Sequence, residues 1–178
     1  MEEEKIIINK VASSGLVSLD LEDYYHHGQR VVYDLKDNLF MGQILREKDF
    51  REFLKNHDWS QYQNQNVAII CSEEAIIPTW AYMLLGVYLE PFAHCFVFGD
   101  LLALETKLFD DAIANINPQD YIGQKIVIKG CSKWPVPTSA YVEIIRKLKP
   151  YAQSLMFGEP CSTVPLFKKK IERLASPL

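Results

Sequence analysis

The chain has 178 residues, 48% hydrophobic and 24% charged, with a formal net charge of -4. That is enough apolar material for one globular domain, with or without an elaborate extension, and it leaves no second independent domain to expect. A general nucleic-acid or anionic-membrane binder needs concentrated positive charge; the only basic cluster is Lys168, Lys169 and Lys170, read as a solvated helix start.

The head, MEEEKIIINK, is acidic with a run of three isoleucines, a pattern that fits neither a secretory signal nor a targeting peptide. No window reaches the roughly 18 apolar residues that a membrane-spanning helix needs. A cytoplasmic location is the expectation. With it, Cys71, Cys95, Cys131 and Cys161 are expected as thiols or metal ligands rather than disulfides. None forms a C-x-x-C pair, which removes the best signal for thioredoxin-type chemistry or a common zinc ribbon. His26 and His27 precede Gly28 in a polar stretch that reads as a solvated turn.

Further along, RVVYDL and LFMGQIL flank Lys36, Asp37 and Asn38 and predict a hairpin. EKDFREFLKNHDW predicts a helix with Phe50, Phe53 and Leu54 on one stripe. VAII at 67–70 predicts a strand that ends at Cys71 and Ser72. A helix opens near Pro78 and Thr79 and stops before Pro91, since proline suits a first turn and cannot continue an interior. CFVF at 95–98 is the next strand, followed by Gly99 and Asp100. Leu101, Leu104, Leu108, Ala112, Ile113 and Ile116 then follow helical spacing.

The same grammar returns. IVIK at 126–129 leads to Cys131 and Ser132, a helix opens near Pro137 and Thr138 and stops before Pro150, and SLMF at 154–157 runs into Gly158 and Glu159. Laid without a gap, residues 62–99 and 121–158 share twelve identities, among them Pro78, Thr79, Ala81 and Tyr82 with Pro137, Thr138, Ala140 and Tyr141. The reading is a duplicated βαβ unit, with convergence as the bland alternative. Tyr82 and Tyr141 read as packing residues, and Glu73 and Glu74 as a solvated loop.

These elements predict an α/β fold: an open, mostly parallel sheet built from two duplicated βαβ units in strand order about 2-1-3-4. The predicted parts are an N-terminal extension over 1–60 packed on the core, the duplicated core over 61–167, and a tail over 168–178. The helix WAYMLLGVYLE is apolar almost all round and must be covered twice, by the N-terminal hairpin and helix or by a homodimer interface. Ligands bind beyond the carboxyl ends of such strands where the order reverses. That expectation brings together Cys71, Cys131 and Cys161 as a metal site, with Glu159, Ser72, Ser132 and Asp100 as auxiliary groups. Cys95 begins its strand and belongs at the opposite end. Zinc, iron or an iron–sulfur cluster would suit such thiolates, while buried small hydrophobes are the plain alternative. No G-x-G-x-x-G, P-loop or C-x5-R is present.

The runs DLKDNLFMGQILREKDFREFL, CSEEAIIPTWAYMLL, GCSKWPVPTSAY and FGEPCSTVPLFKKK resemble a bacterial family catalogued as domain of unknown function 2480, over nearly the whole chain. That family carries no established activity. The resemblance implies that Cys71, Cys131 and Cys161 lie in its marked motifs, and genes for sulfur mobilisation near its members imply iron–sulfur assembly proteins as partners. The expected function is a cysteine-lined metal or iron–sulfur site, accessory to iron–sulfur metabolism. A non-catalytic dimeric interaction protein with structural cysteines and a thiol-dependent enzyme using Cys131 or Cys161 stand beside it.

Overall fold

A computed structural model describes residues 15–130 and 132–170. In chain order its elements are β1 (Leu16–Asp20), β2 (Arg30–Asp34), α1 (Glu47–Asn56), β3 (Asn66–Ile70), α2 (Thr79–Leu89), β4 (Cys95–Phe98), α3 (Leu101–Ala114), β5 (Lys125–Lys129), α4 (Thr138–Leu148), β6 (Ser154–Glu159) and β7 (Ser162–Lys168). The fold is mixed α/β with two mostly parallel sheets. The chain divides into two compact units. One, here the split unit, comprises the chain up to Tyr25 and from Ala112 on; the other, the inserted unit, is His26–Asp111. Lys168 ends β7 and Lys169 and Lys170 follow it exposed. The helix expected beyond them lies outside the described residues, as does the MEEEKIIINK head.

In the split unit the sheet order is β1-β5-β6-β7, with β1, β5 and β6 parallel and β7 folded back antiparallel on β6. β5 buries Ile126, Val127 and Ile128 in succession, as a strand covered on both faces must. α4 begins after Pro137 and presents Ala140, Ile144 and Leu148 inward at four-residue spacing, all fully buried. Pro150 follows its end and prevents continuation.

In the inserted unit the order is β2-β3-β4, all parallel. One cluster packs Leu35, Leu45, Phe50, Leu54, Trp59 and Tyr62 against Ala81, Leu85 and Leu89 of α2. Residues 35–62 thus cover one side of that apolar helix, where cover on two sides was expected. Met83 and Val87, on another side, stay 69% and 67% exposed. A second cluster joins Ala68 and Cys95 to Leu104 and Leu108 of α3.

Two expectations are corrected. The 67–71 and 126–130 strands are not neighbours in one sheet of order 2-1-3-4: β3 lies between β2 and β4, and β5 between β1 and β6. A strand has only two edges, so neither middle strand keeps an edge for the other. RVVYDL is not half of a hairpin either; it is β2, parallel to β3. The Asp34 carboxylate accepts the Lys36 N–H and starts a 3-10 turn, Leu35–Asn38, that halts the strand. LFMGQIL becomes a tight turn with positive φ at Met41 and Gly42, closed by a Phe40 to Ile44 bridge.

The expected solvated histidine turn also differs. His26 is half-buried and stacks on His94 with ring centroids 4.0 Å apart. Its Nδ1 accepts the Gly28 N–H at 3.1 Å and meets the Asn66 amide nitrogen at 3.0 Å. Desolvation, then the neighbouring His94, Arg30 and His27, hold its pKa below the usual 6.5. Desolvation lowers that of His57 as well. Below pH 6.5 the unfolded chain therefore binds protons that the folded chain refuses, so stability falls with falling pH in that window. Urea unfolding at pH 7.5, 6.5 and 5.5 should show a declining unfolding free energy, with a shallower decline in His26→Gln. A rise on acidification would contradict this assignment.

Candidate functional site

The carboxyl ends of β1, β5 and β6 meet at one rim of the split unit. Parallel register sets Asp20, the last residue of β1, opposite Lys129, the last of β5. The Asp20 carboxylate accepts the Glu22 N–H at 3.0 Å, which turns the chain into a 3-10 turn over Leu21–Tyr24. The same carboxylate pairs with Lys129 Nζ at 3.1 Å. Glu22 then reaches the loop after β5: its carboxylate accepts the N–H groups of Ser132 and Lys133, and the Ser132 hydroxyl donates to it at 3.1 Å. The Tyr141 hydroxyl donates to the Gly130 carbonyl.

Two glycines permit this rim. Gly130 has φ +139, and a Cβ there would stand 3.2 Å from both Leu21 Cβ and the Tyr141 hydroxyl. Gly158 has φ +117, and its Cβ would meet the Ser162 carbonyl oxygen at 2.7 Å, so no larger residue fits the turn into β7 without a shift.

Two hollows open here. A polar crevice of about 310 Å³ is lined by Asp20, Lys129, Gly130, Ser132, Gly158 and Glu159, with Phe157 as one wall. An apolar groove of about 520 Å³ is lined by Ile128, Val136, Tyr141, Val142, Ile145 and Leu166, again with Phe157. Tyr141 packs edge-on against Phe157 at 5.8 Å. Val142, Phe157 and Leu166 are 67%, 39% and 52% exposed. The Lys129 pKa is raised, first by its hydrogen bond with Asp20 and then by the charges of Asp20, Glu159 and Asp23.

Of the residues expected at a shared site, Ser132 and Glu159 come together on this crevice. Cys161 is exposed in the turn between β6 and β7. Cys131 lies outside the described residues. Cys71, Ser72 and Asp100 belong to the inserted unit. There Cys71 is half-buried, with Sγ 3.3 Å from the Glu73 carbonyl. The Ser72 N–H bonds Asp34 at 3.0 Å, and Asp100 accepts the Ala103 N–H at 2.9 Å in the first turn of α3. Cys95 is buried at the amino end of β4, as expected, and burial raises its thiol pKa. Among the described residues no group of three or more His, Cys, Asp or Glu side chains could hold a metal ion.

Sequence reasoning missed Asp20, Glu22, Lys129, Val142 and Leu166. One signal was available: DLED at 20–23 and DLKD at 34–37 are the same strand-ending turn, each led by an aspartate that caps its own 3-10 segment.

Strand, helix, strand with a cleft at the carboxyl ends defines an α/β protein with the usual location for a ligand. The sequence model of the family described as "Protein of unknown function (DUF2480)" matches residues 5–169, and the chain belongs to that family. No curated protein and no solved structure was found to match it. No helix among the described residues is long and apolar enough to cross a membrane.

Removing the Glu22 carboxylate takes the acceptor from the Ser132 and Lys133 N–H groups. Glu22→Ala should cost about 1 kcal/mol, because the loop is open to water that can substitute in part. Amide hydrogen exchange should speed up at residues 132 and 133 in that variant; unchanged exchange there would contradict the latch.

Proposed function

We propose that the protein is a non-catalytic binding protein whose site is the crevice and groove of the split unit, and that it takes a small amphipathic molecule. One observation carries the reading: an apolar groove and a polar crevice share Phe157 at the carboxyl ends of parallel strands. Both volumes suit part of a drug-sized ligand, and an apolar pocket with a few convergent polar groups is the usual form of such a site. The reading of binding rather than catalysis rests on how the polar groups are used. Asp20 is bonded to Lys129, the Ser132 hydroxyl to Glu22 and the Tyr141 hydroxyl to Gly130. An activated nucleophile needs a base of its own, and these groups serve the fold instead.

We also read the two units as diverged copies of one module, a strand with its D-L-x-D turn beside a βαβ. The inward stripes Ala81, Leu85, Leu89 and Ala140, Ile144, Leu148 occupy matching positions. So do the register pairs Asp34 with Ile70 and Asp20 with Lys129. In this reading Ile70 stands where Lys129 stands, and Cys71 where Gly130 stands, so the polar crevice is a specialisation of the split unit.

A second reading keeps a thiolate site in smaller form. Gly130 and Ser132, the sequence neighbours of Cys131, line the crevice together with Glu159, two residues before Cys161. Zinc or iron held by Cys131, Cys161 and Glu159 would leave out Cys71. Metal analysis of anaerobically purified protein tests it: metal at one equivalent that disappears in Cys131→Ser supports this site, and metal-free wild type removes it.

The binding reading is tested with Nile red, a neutral apolar dye whose fluorescence rises out of water. Val142 is mostly exposed, so Val142→Glu should leave the melting temperature within a few degrees. It should weaken dye binding about tenfold or more by placing a charge in the groove. Equal binding by Val142→Glu and wild type would show that the groove is not the site.

A further inference from the structure

We propose that the crevice selects a positively charged head, so that the ligand is an amphipathic organic cation such as an alkylammonium; this rests on the binding reading above. Two independent features of the rim point the same way. The first is the balance of charge. Among the described residues, Asp20 and Glu159 line the crevice with a single ammonium, Lys129, already bonded to Asp20. Asp23 adds a further negative charge acting on Lys129. Neither Lys133 nor Lys168 lines the crevice: Lys133 Nζ lies 5.0 Å from the Trp134 ring, and Lys168 stands in register with Ser154 at the amino end of β6. A head entering beside Glu159 therefore meets an excess of carboxylate.

The second feature is the loop after β5. Backbone N–H groups following a parallel strand are the usual receptor for an anionic head, because they point outward and bond phosphate or carboxylate oxygens. Here the N–H groups of Ser132 and Lys133 hold the chain's own Glu22 carboxylate, which also takes the Ser132 hydroxyl. The place where an anion would bind is filled by an anion of the protein, and a second would be repelled. At the junction of the two hollows stands Phe157, with Tyr141 packed on it. An aromatic face attracts ammonium groups and not carboxylates. The groove beyond has room for the apolar body.

Three probes with the same ten-carbon chain separate the alternatives: decyltrimethylammonium, decanol and decanoate, each below its micelle concentration, competing with Nile red on the full chain. The cation should bind at least about fivefold tighter than decanoate, the scale of an exposed charge pair gained in one case and opposed in the other. Glu159→Gln, at an exposed position, should narrow that ratio. If decanoate binds as tightly as the cation, or Glu159→Gln leaves the ratio unchanged, the charge inference fails while the binding reading stands. If none of the three displaces the dye, both fail.

Discussion

The parallel pairing of β1 with β5 is the constraint on which the site depends. It joins residues 16–20 to residues 125–129, and the whole inserted unit lies between them in sequence. Closing so long a loop is entropically costly only in a logarithmic way, so ladder bonds and a buried face can carry it. Once the register is set, Asp20 must stand beside Lys129, and the turn that Asp20 caps must carry Glu22 to the loop after β5. A slip of one residue in β1 would turn Leu19 from the core and bring Ser18 toward it. The polar rim and the apolar core are therefore fixed by the same alignment.

The groove is the part of the split unit that the fold leaves in water. Val142, Phe157 and Leu166 are apolar and exposed side by side with Tyr141 and Ile145. Covering a side chain of this kind is worth about 1.5–3 kcal/mol. Scattered exposed apolar residues need no explanation, but a contiguous patch rimmed by polar groups does. α4 shows why it persists: its stripe Ala140, Ile144 and Leu148 is already fully buried, so Val142 and Ile145 on the neighbouring face are left for something else. The cleft's two chemistries sit within one element's length of each other, since Phe157, Gly158 and Glu159 are consecutive.

Much of this was legible in the chain. The paired prolines placed α2 and α4, and the helical spacing from Leu101 onward placed α3. The apolar surplus of α2 called for cover on two sides; residues 35–62 lie on one, without the expected hairpin, and Met83 and Val87 stay exposed. What was not legible was which strand lies beside which. VAII and IVIK look alike because both are buried on two faces, and that likeness says nothing about their neighbours. LVSLD and RVVYD supply those neighbours, yet each is only five residues long and ends in an aspartate that reads as a turn. With the pairing misjudged, the Cys-Ser ends of the two middle strands were expected on a common rim, although Cys71 belongs with Asp34 and Ser72 in the inserted unit. Ser132 and Glu159, which line the crevice, were singled out because they stand at the ends of strands that the sequence did show. Asp20 and Glu22 were missed because the strand that they end, Leu16–Asp20, was not read as a strand.

The rim location and the groove chemistry make one claim together, that an amphipathic cation lies along the split unit. Photolabelling tests it most directly, using a quaternary ammonium with a diazirine in its alkyl chain, followed by proteolysis and mass spectrometry. The account predicts adducts within residues 136–145 and 157–166, suppressed by excess decyltrimethylammonium. Adducts confined to residues 26–111, or labelling that the competitor leaves unchanged, would contradict it.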